Sequence, residues 1–202
     1  IGQKIKWIEM DPDSKSRDLI TAFDLLCKAH VFHKCVHSNS KSLTLDADSD
    51  AKVFKAYFLD VGLLLTRLQF SEVTFNIQAD SAIKGDIFEQ FVAKMLAYAR
   101  GPFYPPDLFY WLRDKKSTNA EIDFLIQKNG LIAPIEVKNQ SLNHMKSLAT
   151  YNDEIKPKLN LNFYLGQPET IHWASHKTTP SAKTKLLRLP IYLAERVYSF
   201  LA

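Results

Sequence analysis

The sequence predicts a mixed α/β fold in which helices flank a central sheet, and three observations indicate this class. An amphipathic helix is predicted over residues 86–99, where apolar side chains recur on one stripe. A hairpin is predicted over residues 120–139, with its turn at Asn129-Gly130. A helix over residues 142–155, followed by a strand over 161–165, is expected to form a right-handed crossover between parallel strands.

The composition is typical of a globular chain. Hydrophobic residues make up 46% of the 202 residues and charged residues 24%, which excludes a disordered or fibrous protein. No run approaches the roughly eighteen apolar residues of a membrane span, so we expect no membrane partner. The net charge of +4 permits an anionic partner without requiring one. Two cysteines and no secretory leader favour the cytoplasm, and a start at Ile1 indicates a fragment.

Residues 1–70 are expected to be a partial winged-helix-like segment with a connecting helix. A predicted helix over residues 16–29 precedes two predicted strands, 31–36 and 53–59, which a long polar loop joins. A winged-helix module ends in this order of elements. Asp60 is placed to cap the short connecting helix that follows.

Residues 71–202 are expected to form the second domain, around the helix over 86–99. Its central sheet is predicted from four strands, at residues 109–112, 120–127, 131–139 and 161–165. A short edge strand is predicted over residues 171–173, and the apolar stretch 186–201 is expected to close the core.

The turn at Asn129-Gly130 fixes the expected register of the hairpin. A two-residue type I′ turn requires positive φ at both central residues, which Asn and Gly tolerate best. If Lys128 and Leu131 flank this turn, residues opposite one another have numbers that sum to 259. Because side chains alternate along a strand, this register predicts one apolar face and one charged face. The apolar face is expected to contain Ile122, Phe124, Ile126, Ala133, Ile135 and Val137.

The charged face is expected to place Asp123 opposite Glu136 and Glu121 opposite Lys138. Two carboxylates about 5 Å apart repel by roughly 3 kcal/mol at an effective dielectric of 20, so a compensating cation is expected. Lys138 supplies part of this compensation. Carboxylates that converge from adjacent strands also suit Mg²⁺ or Mn²⁺. A lysine on the same face is placed to contact a phosphate or to position the attacking water.

This pattern resembles the core of the PD-(D/E)xK, or restriction-endonuclease-like, nuclease superfamily. Asp123 precedes Glu136 by twelve intervening residues, and Lys138 completes the Glu-x-Lys motif. The resemblance implies a restriction-endonuclease-like mixed sheet with Asp123 and Glu136 as metal ligands. It also implies a further contact to the metal, through water, from Glu89 on the preceding helix. The sequence departs from the eponymous motif at Ile122, where that motif has proline.

A narrower resemblance is to the C-terminal region of a family of prokaryotic AAA+ ATPases. It rests on residues 54–64, on the helix that contains Glu89, on residues 110–113 and on the hairpin. It implies an ATPase module and a winged helix ahead of a nuclease-like domain of poorly defined role. These 202 residues have no Walker-type glycine-rich loop, so ATP is expected to bind only in an N-terminal part outside this chain. An oligomer is compatible with this family.

The sequence therefore predicts a metal-dependent nuclease-like domain that acts on or binds DNA. Its expected catalytic residues are Lys138, Glu136, Asp123 and Glu89, of which the three carboxylates are also the expected metal ligands. Arg113, Lys115 and Lys116 are candidates for phosphate contacts, although such a run is equally typical of a solvated face. Two alternatives remain, a catalytically inactive DNA-binding or regulatory module of the ATPase and a protein-interaction module. In either alternative, the charged side chains of the hairpin would form ordinary surface salt bridges.

Overall fold

The structure of the protein is a computed structural model. It describes residues 4–5, 7, 11, 13–69, 81–113, 119–138, 145–173 and 184–201. Within these ranges the α-helices are α1 (Ser16–Lys28), α2 (Val61–Arg67), α3 (Ser81–Tyr98) and α4 (Lys146–Ile155). The strands are β1 (Phe32–Ser38), β2 (Ser49–Phe58), β3 (Leu108–Arg113), β4 (Ala120–Lys128), β5 (Leu131–Val137), β6 (Leu159–Tyr164), β7 (Glu169–Trp173) and β8 (Thr184–Pro190). Two 3-10 segments cover Asp46–Asp48 and Ile191–Ser199.

In the described part of the chain, eight strands form one mixed sheet in the order β2-β1-β3-β4-β5-β6-β8-β7. The strands β3, β4 and β5 form an antiparallel meander. The helix α4 then carries the chain to β6, which runs parallel to β5. The predicted mixed α/β class is confirmed, and so is the crossover between the last two predicted strands.

The winged-helix prediction is not confirmed. The strands β1 and β2 pair with each other, and β1 also pairs in parallel with β3, so both strands extend the central sheet. The predicted domain boundary near residue 70 lies outside the described residues and stays a prediction. The cap on α2 is confirmed, since the Asp60 carboxylate accepts a hydrogen bond from the Gly62 amide at 2.7 Å.

The two faces of the sheet are covered by different elements. The helix α3 and the 3-10 segment Ile191–Ser199 pack together on one face, against a core that includes Phe124, Ile135 and Phe163. The other face packs against α4 through the buried side chains of Leu148 and Tyr151. Each face therefore has its own apolar core, and the sheet separates the two.

Trp111 belongs to the core beneath α4. It is 3% exposed, and its ring meets that of Tyr151 edge-on, with the ring centroids 5.1 Å apart. Such T-shaped contacts are a favoured arrangement of aromatic pairs. Trp111 is therefore a core residue of this face.

The hairpin register is confirmed over five residue pairs, from Lys128 with Leu131 to Phe124 with Ile135. Both turn residues have positive φ, 52° at Asn129 and 75° at Gly130. This is the combination that a type I′ turn requires.

The expected alternation along β4 is wrong at one point. Phe109 of β3 pairs with Leu125, but Trp111 pairs with Ile122, so β4 has one residue more than β3 in this interval. This bulge reverses the alternation, since Ile122 packs in the core beneath α4 whereas Phe124 packs on the α3 side. The prediction that these two residues share a face is therefore wrong.

Candidate active site

The helix α3 is fixed against β2 by the side chain of Gln90. This amide is fully buried and bonds to the backbone of Phe58 in both directions. Its oxygen accepts from the Phe58 amide at 2.9 Å, and its nitrogen donates to the Phe58 carbonyl at 2.8 Å. These bonds set the rotation of α3, and the neighbouring Glu89 side chain contacts the β2 residues Tyr57 and Lys55.

The Glu89 side chain is largely enclosed by other residues and is 16% exposed. Its Oε1 atom accepts a hydrogen bond from the Tyr57 hydroxyl at 2.5 Å and lies 3.3 Å from the Lys55 Nζ atom. Burial and the nearby Glu89 carboxylate raise the pKa of Tyr57 well above its ordinary value. The phenol therefore stays protonated and remains a hydrogen-bond donor to Glu89.

Lys55 is a buried cation among the carboxylates. Its side chain is 1% exposed, and its ammonium pairs with both Glu89 and Glu121. The same ammonium lies 5.1 Å from the centre of the Tyr110 ring. Burial opposes the charge, but Glu89, Asp123 and Glu121 outweigh this effect and raise the pKa of Lys55. Lys55 is therefore charged at neutral pH.

Lys55 was not among the site residues predicted from the sequence. A signal for it exists, because Val53, Lys55 and Tyr57 alternate along β2, and the first and last of these pack into the core on the α3 side. Lys55 is two residues from each of them and therefore shares their inward face, and a lysine on an inward face needs a buried anionic partner unless the strand is irregular there.

Asp123 lies in the bulge of β4. Its Oδ2 atom accepts a hydrogen bond from the Val137 amide at 2.7 Å, which ties it to the end of β5. Burial, followed by the Glu136 and Glu89 carboxylates, raises the pKa of Asp123 well above its ordinary value, and Lys55 only partly opposes this. The negative charge on Asp123 is therefore costly unless another cation comes close.

Glu136 has no exposed surface. One carboxylate oxygen accepts a hydrogen bond from the Lys138 Nζ atom at 2.5 Å, and in the described residues the other, Oε2, has no hydrogen-bond partner. Burial raises the pKa of Glu136; Lys138 opposes this, and Glu89 and Glu121 add to it. A buried anionic oxygen without a partner carries a large desolvation cost, so one more positive group beside it would stabilise the carboxylate.

The structure brings Asp123, Glu136, Lys138 and Glu89 into one electrostatic cluster, to which Glu121 of the charged hairpin face and Lys55 of β2 also belong. The donors are hard carboxylate oxygens, and the unpartnered oxygen of Glu136 fits a divalent cation such as Mg²⁺ or Mn²⁺. Within the described ranges, no three His, Cys, Asp or Glu side chains are grouped closely enough to share an ion.

The predicted nucleic-acid contacts are only partly within the described residues. The Arg113 Nε atom lies 2.9 Å from the Glu154 carboxylate on α4, and the Arg113 side chain is 23% exposed. Lys115 and Lys116 lie outside the described residues. In the described part of the chain, no helix is both long enough and apolar enough to cross a membrane.

Residues 84–179 match the model of a family described as a domain of unknown function, DUF4143. The match covers just under half of the chain. It extends from α3 through the hairpin and β7, so it contains Glu89, Asp123, Glu136 and Lys138, while Lys55 lies ahead of it. Neither the curated proteins nor the solved structures include a significant match to the chain.

Proposed function

We propose that this chain is a metal-dependent nuclease-like domain that hydrolyses phosphodiester bonds of DNA. The observation that carries the proposal is the fully buried Glu136 carboxylate with one unpartnered oxygen, next to Asp123 and in contact with Lys138. The bulge that contains Asp123 supports it as well, since bulges are frequent beside active sites, where they redirect a side chain.

In this proposal Asp123 and Glu136 hold one Mg²⁺ or Mn²⁺ ion, and Glu89 acts on it through water. When bound, the ion would supply Lewis-acid stabilisation of the scissile phosphate and a more acidic water. The ammonium of Lys138 would hold a phosphate oxygen or position the attacking water. The hydrogen bond from the Val137 amide would keep the Asp123 carboxylate aimed at the site.

DNA is the proposed substrate, with Arg113, Lys115 and Lys116 as proposed phosphate contacts. The DUF4143 family is commonly found together with AAA ATPase domains. We therefore infer that the domain works in the cytoplasm beside an ATPase module that binds ATP in a part of the protein outside this chain.

The test is a nicking assay on supercoiled plasmid DNA with the purified chain, in Mg²⁺, Mn²⁺ or EDTA. We expect nicking only with metal and its loss in Asp123→Asn, Glu136→Gln and Lys138→Met. Glu195→Gln is the matched control, because Glu195 is exposed and lies outside the cluster. Metal-independent cleavage, or full activity of Glu136→Gln, would contradict the proposal.

A second candidate is a DNA-binding or regulatory module of the ATPase that lacks catalysis. The observation that favours it is Lys55, which already neutralises part of the carboxylate charge without a metal. This candidate predicts DNA binding that weakens with salt, as for any phosphate-dominated contact, and that survives Glu136→Gln in EDTA. Absence of DNA binding under all conditions would leave the protein-interaction alternative.

A further inference from the structure

The nuclease resemblance does not account for Lys55. This residue is contributed by β2, outside both the hairpin and the part of the chain that the family model covers. Yet it makes ion pairs with carboxylates of two other elements, Glu89 on α3 and Glu121 on β4.

The position of Lys55 is fixed by its surroundings. Its backbone pairs with Cys35 of β1, its side chain is 1% exposed, and its ammonium packs over the Tyr110 ring. A side chain enclosed in this way cannot turn into solvent when another cation arrives, because the enclosing residues belong to the sheet itself. Its ammonium is therefore a permanent member of the cluster.

The cluster has more carboxylates than ammonium groups. Fully ionised, the cluster has four carboxylates, on Glu89, Glu121, Asp123 and Glu136, and two ammonium groups, on Lys55 and Lys138. Lys55 contacts Glu89 and Glu121, whereas Asp123 and Glu136 have no ion pair with it within 4 Å in the described residues. Lys138 pairs with Glu136, so each end of the cluster has one net negative charge when fully ionised, and among the described residues the unpartnered carboxylate oxygen of the cluster, Oε2 of Glu136, lies at the Asp123 and Glu136 end.

We propose that Lys55 is a positioning residue that withholds Glu89 and Glu121 from a divalent cation and so confines that ion to Asp123 and Glu136. This inference rests on the proposed metal site but does not require DNA cleavage. It has two consequences. Removing the ammonium makes Glu89 and Glu121 available as ligands, so divalent-cation binding tightens, and it leaves buried anions unpaired, so the metal-free protein becomes less stable.

The test measures Mn²⁺ binding to the wild-type chain and to Lys55→Met by titration calorimetry, with melting curves in EDTA and in saturating Mn²⁺. We expect Lys55→Met to bind Mn²⁺ at least about tenfold more tightly, since Glu89 and Glu121 become available as ligands and one repelling charge has left the cluster. We also expect it to melt below the wild type in EDTA and to recover most of the loss in Mn²⁺. Lys52→Met, on the exposed part of the same strand, is the matched control.

An unchanged or weaker Mn²⁺ affinity of Lys55→Met would overturn the inference. If this variant does not fold, Glu121→Gln tests the inference instead, because Glu121 is 39% exposed and its replacement should be tolerated. We expect Glu121→Gln to weaken Mn²⁺ binding much less than Asp123→Asn does, because it removes a partly exposed charge and no ligand, whereas a loss as large as that of Asp123→Asn would make Glu121 a metal ligand and overturn the inference.

The nicking assay separates this inference from the proposed function. Tighter Mn²⁺ binding by Lys55→Met together with no DNA cleavage by the wild type would support the inference and contradict the nuclease. Metal-dependent cleavage by the wild type together with an unchanged Mn²⁺ affinity of Lys55→Met would support the nuclease and contradict the inference.

Discussion

The Asp123 carboxylate accepts a hydrogen bond from the Val137 amide at 2.7 Å, just beyond the last backbone pair between β4 and β5. That pair joins Phe124 to Ile135. A side chain thus continues the link between the two strands beyond the point where their backbone pairing ends. The proposed metal ligand therefore also has a structural role, and the two roles can be measured separately.

Asp123→Asn and Asp123→Ala are expected to differ in stability. Asn keeps an oxygen acceptor for the Val137 amide, whereas Ala leaves that amide without a partner, which costs about 1–3 kcal/mol. Urea denaturation in EDTA measures the difference. We expect Asn to be at least as stable as the wild type, because it also removes a charge whose burial raises the pKa of Asp123. Equal stabilities of the two variants would contradict this role of the carboxylate.

Glu136 and Lys138 are expected to be energetically coupled. The Lys138 ammonium donates to the buried Glu136 carboxylate at 2.5 Å, and a hydrogen bond between charged groups contributes about 1.5–3 kcal/mol. Lys138→Met alone should therefore destabilise the metal-free protein, and adding Glu136→Gln should restore much of the loss. A double-mutant cycle by chemical denaturation measures the coupling, with exposed Lys158→Met as the control. Additive effects of the two substitutions on the free energy of unfolding would show that Glu136 and Lys138 are not coupled and would contradict this prediction.

Gln90→Leu is expected to destabilise the protein strongly. It removes both bonds to the Phe58 backbone and leaves a partly buried amide and carbonyl without these partners, at a cost of at most about 1–3 kcal/mol for each group. For a chain of this size each kcal/mol lowers the melting temperature by about 2–4 °C. The exposed Gln167→Leu is the matched control and should melt close to the wild type. If Gln90→Leu has the same melting temperature as this control, contacts other than those of Gln90 hold α3 against β2.

The contribution of His33 to the stability of the protein is expected to be lost as the pH drops below 6.5. His33 is 4% exposed, near the Tyr98 hydroxyl at 3.1 Å and the ring of His30. Burial, and then His30, lowers the pKa of His33 below its ordinary value of 6.5. Below that value the unfolded chain takes up a proton before the folded one, so folding free energy is lost, by at most about 1.4 kcal/mol per pH unit.

Denaturation curves between about pH 7.5 and about pH 5.5 test this expectation. Full stabilisation should be present above pH 6.5, and the loss should continue down to the folded pKa of His33. His33→Gln should flatten the dependence, whereas the exposed His172→Gln should keep it. An identical slope in His33→Gln and the wild type would assign the effect to other groups.

The hairpin was predictable because its information is local. Asn129 and Gly130 define the turn, and the turn then fixes the register of five pairs by backbone geometry. The bulge was not predictable in this way. It arises from the pairing of β4 with β3, whose own residues give no local sign that Trp111 meets Ile122 rather than the next residue of β4.

Long-range partners explain the other differences. Lys55 has partners 34 and 66 residues further along the chain, so its role depends on how α3 and β4 meet β2. The apolar stretch 186–201 was expected only to close the core, but its first part forms β8, inside the sheet. The edge position predicted for β7 is confirmed, and α3 begins earlier than expected, since an apolar stripe marks the packed part of a helix rather than its first turn.

The placement of β8 has a consequence for biosynthesis. This strand lies between β6 and β7 although it follows both in the chain. On the ribosome, β6 exposes an open edge, and β7 lacks its partner in the described sheet, until residues 184–190 have emerged from the exit tunnel. Because unpaired strand edges readily join other chains, the nascent polypeptide is most open to chaperones and to aggregation during synthesis of the segment between β6 and β8.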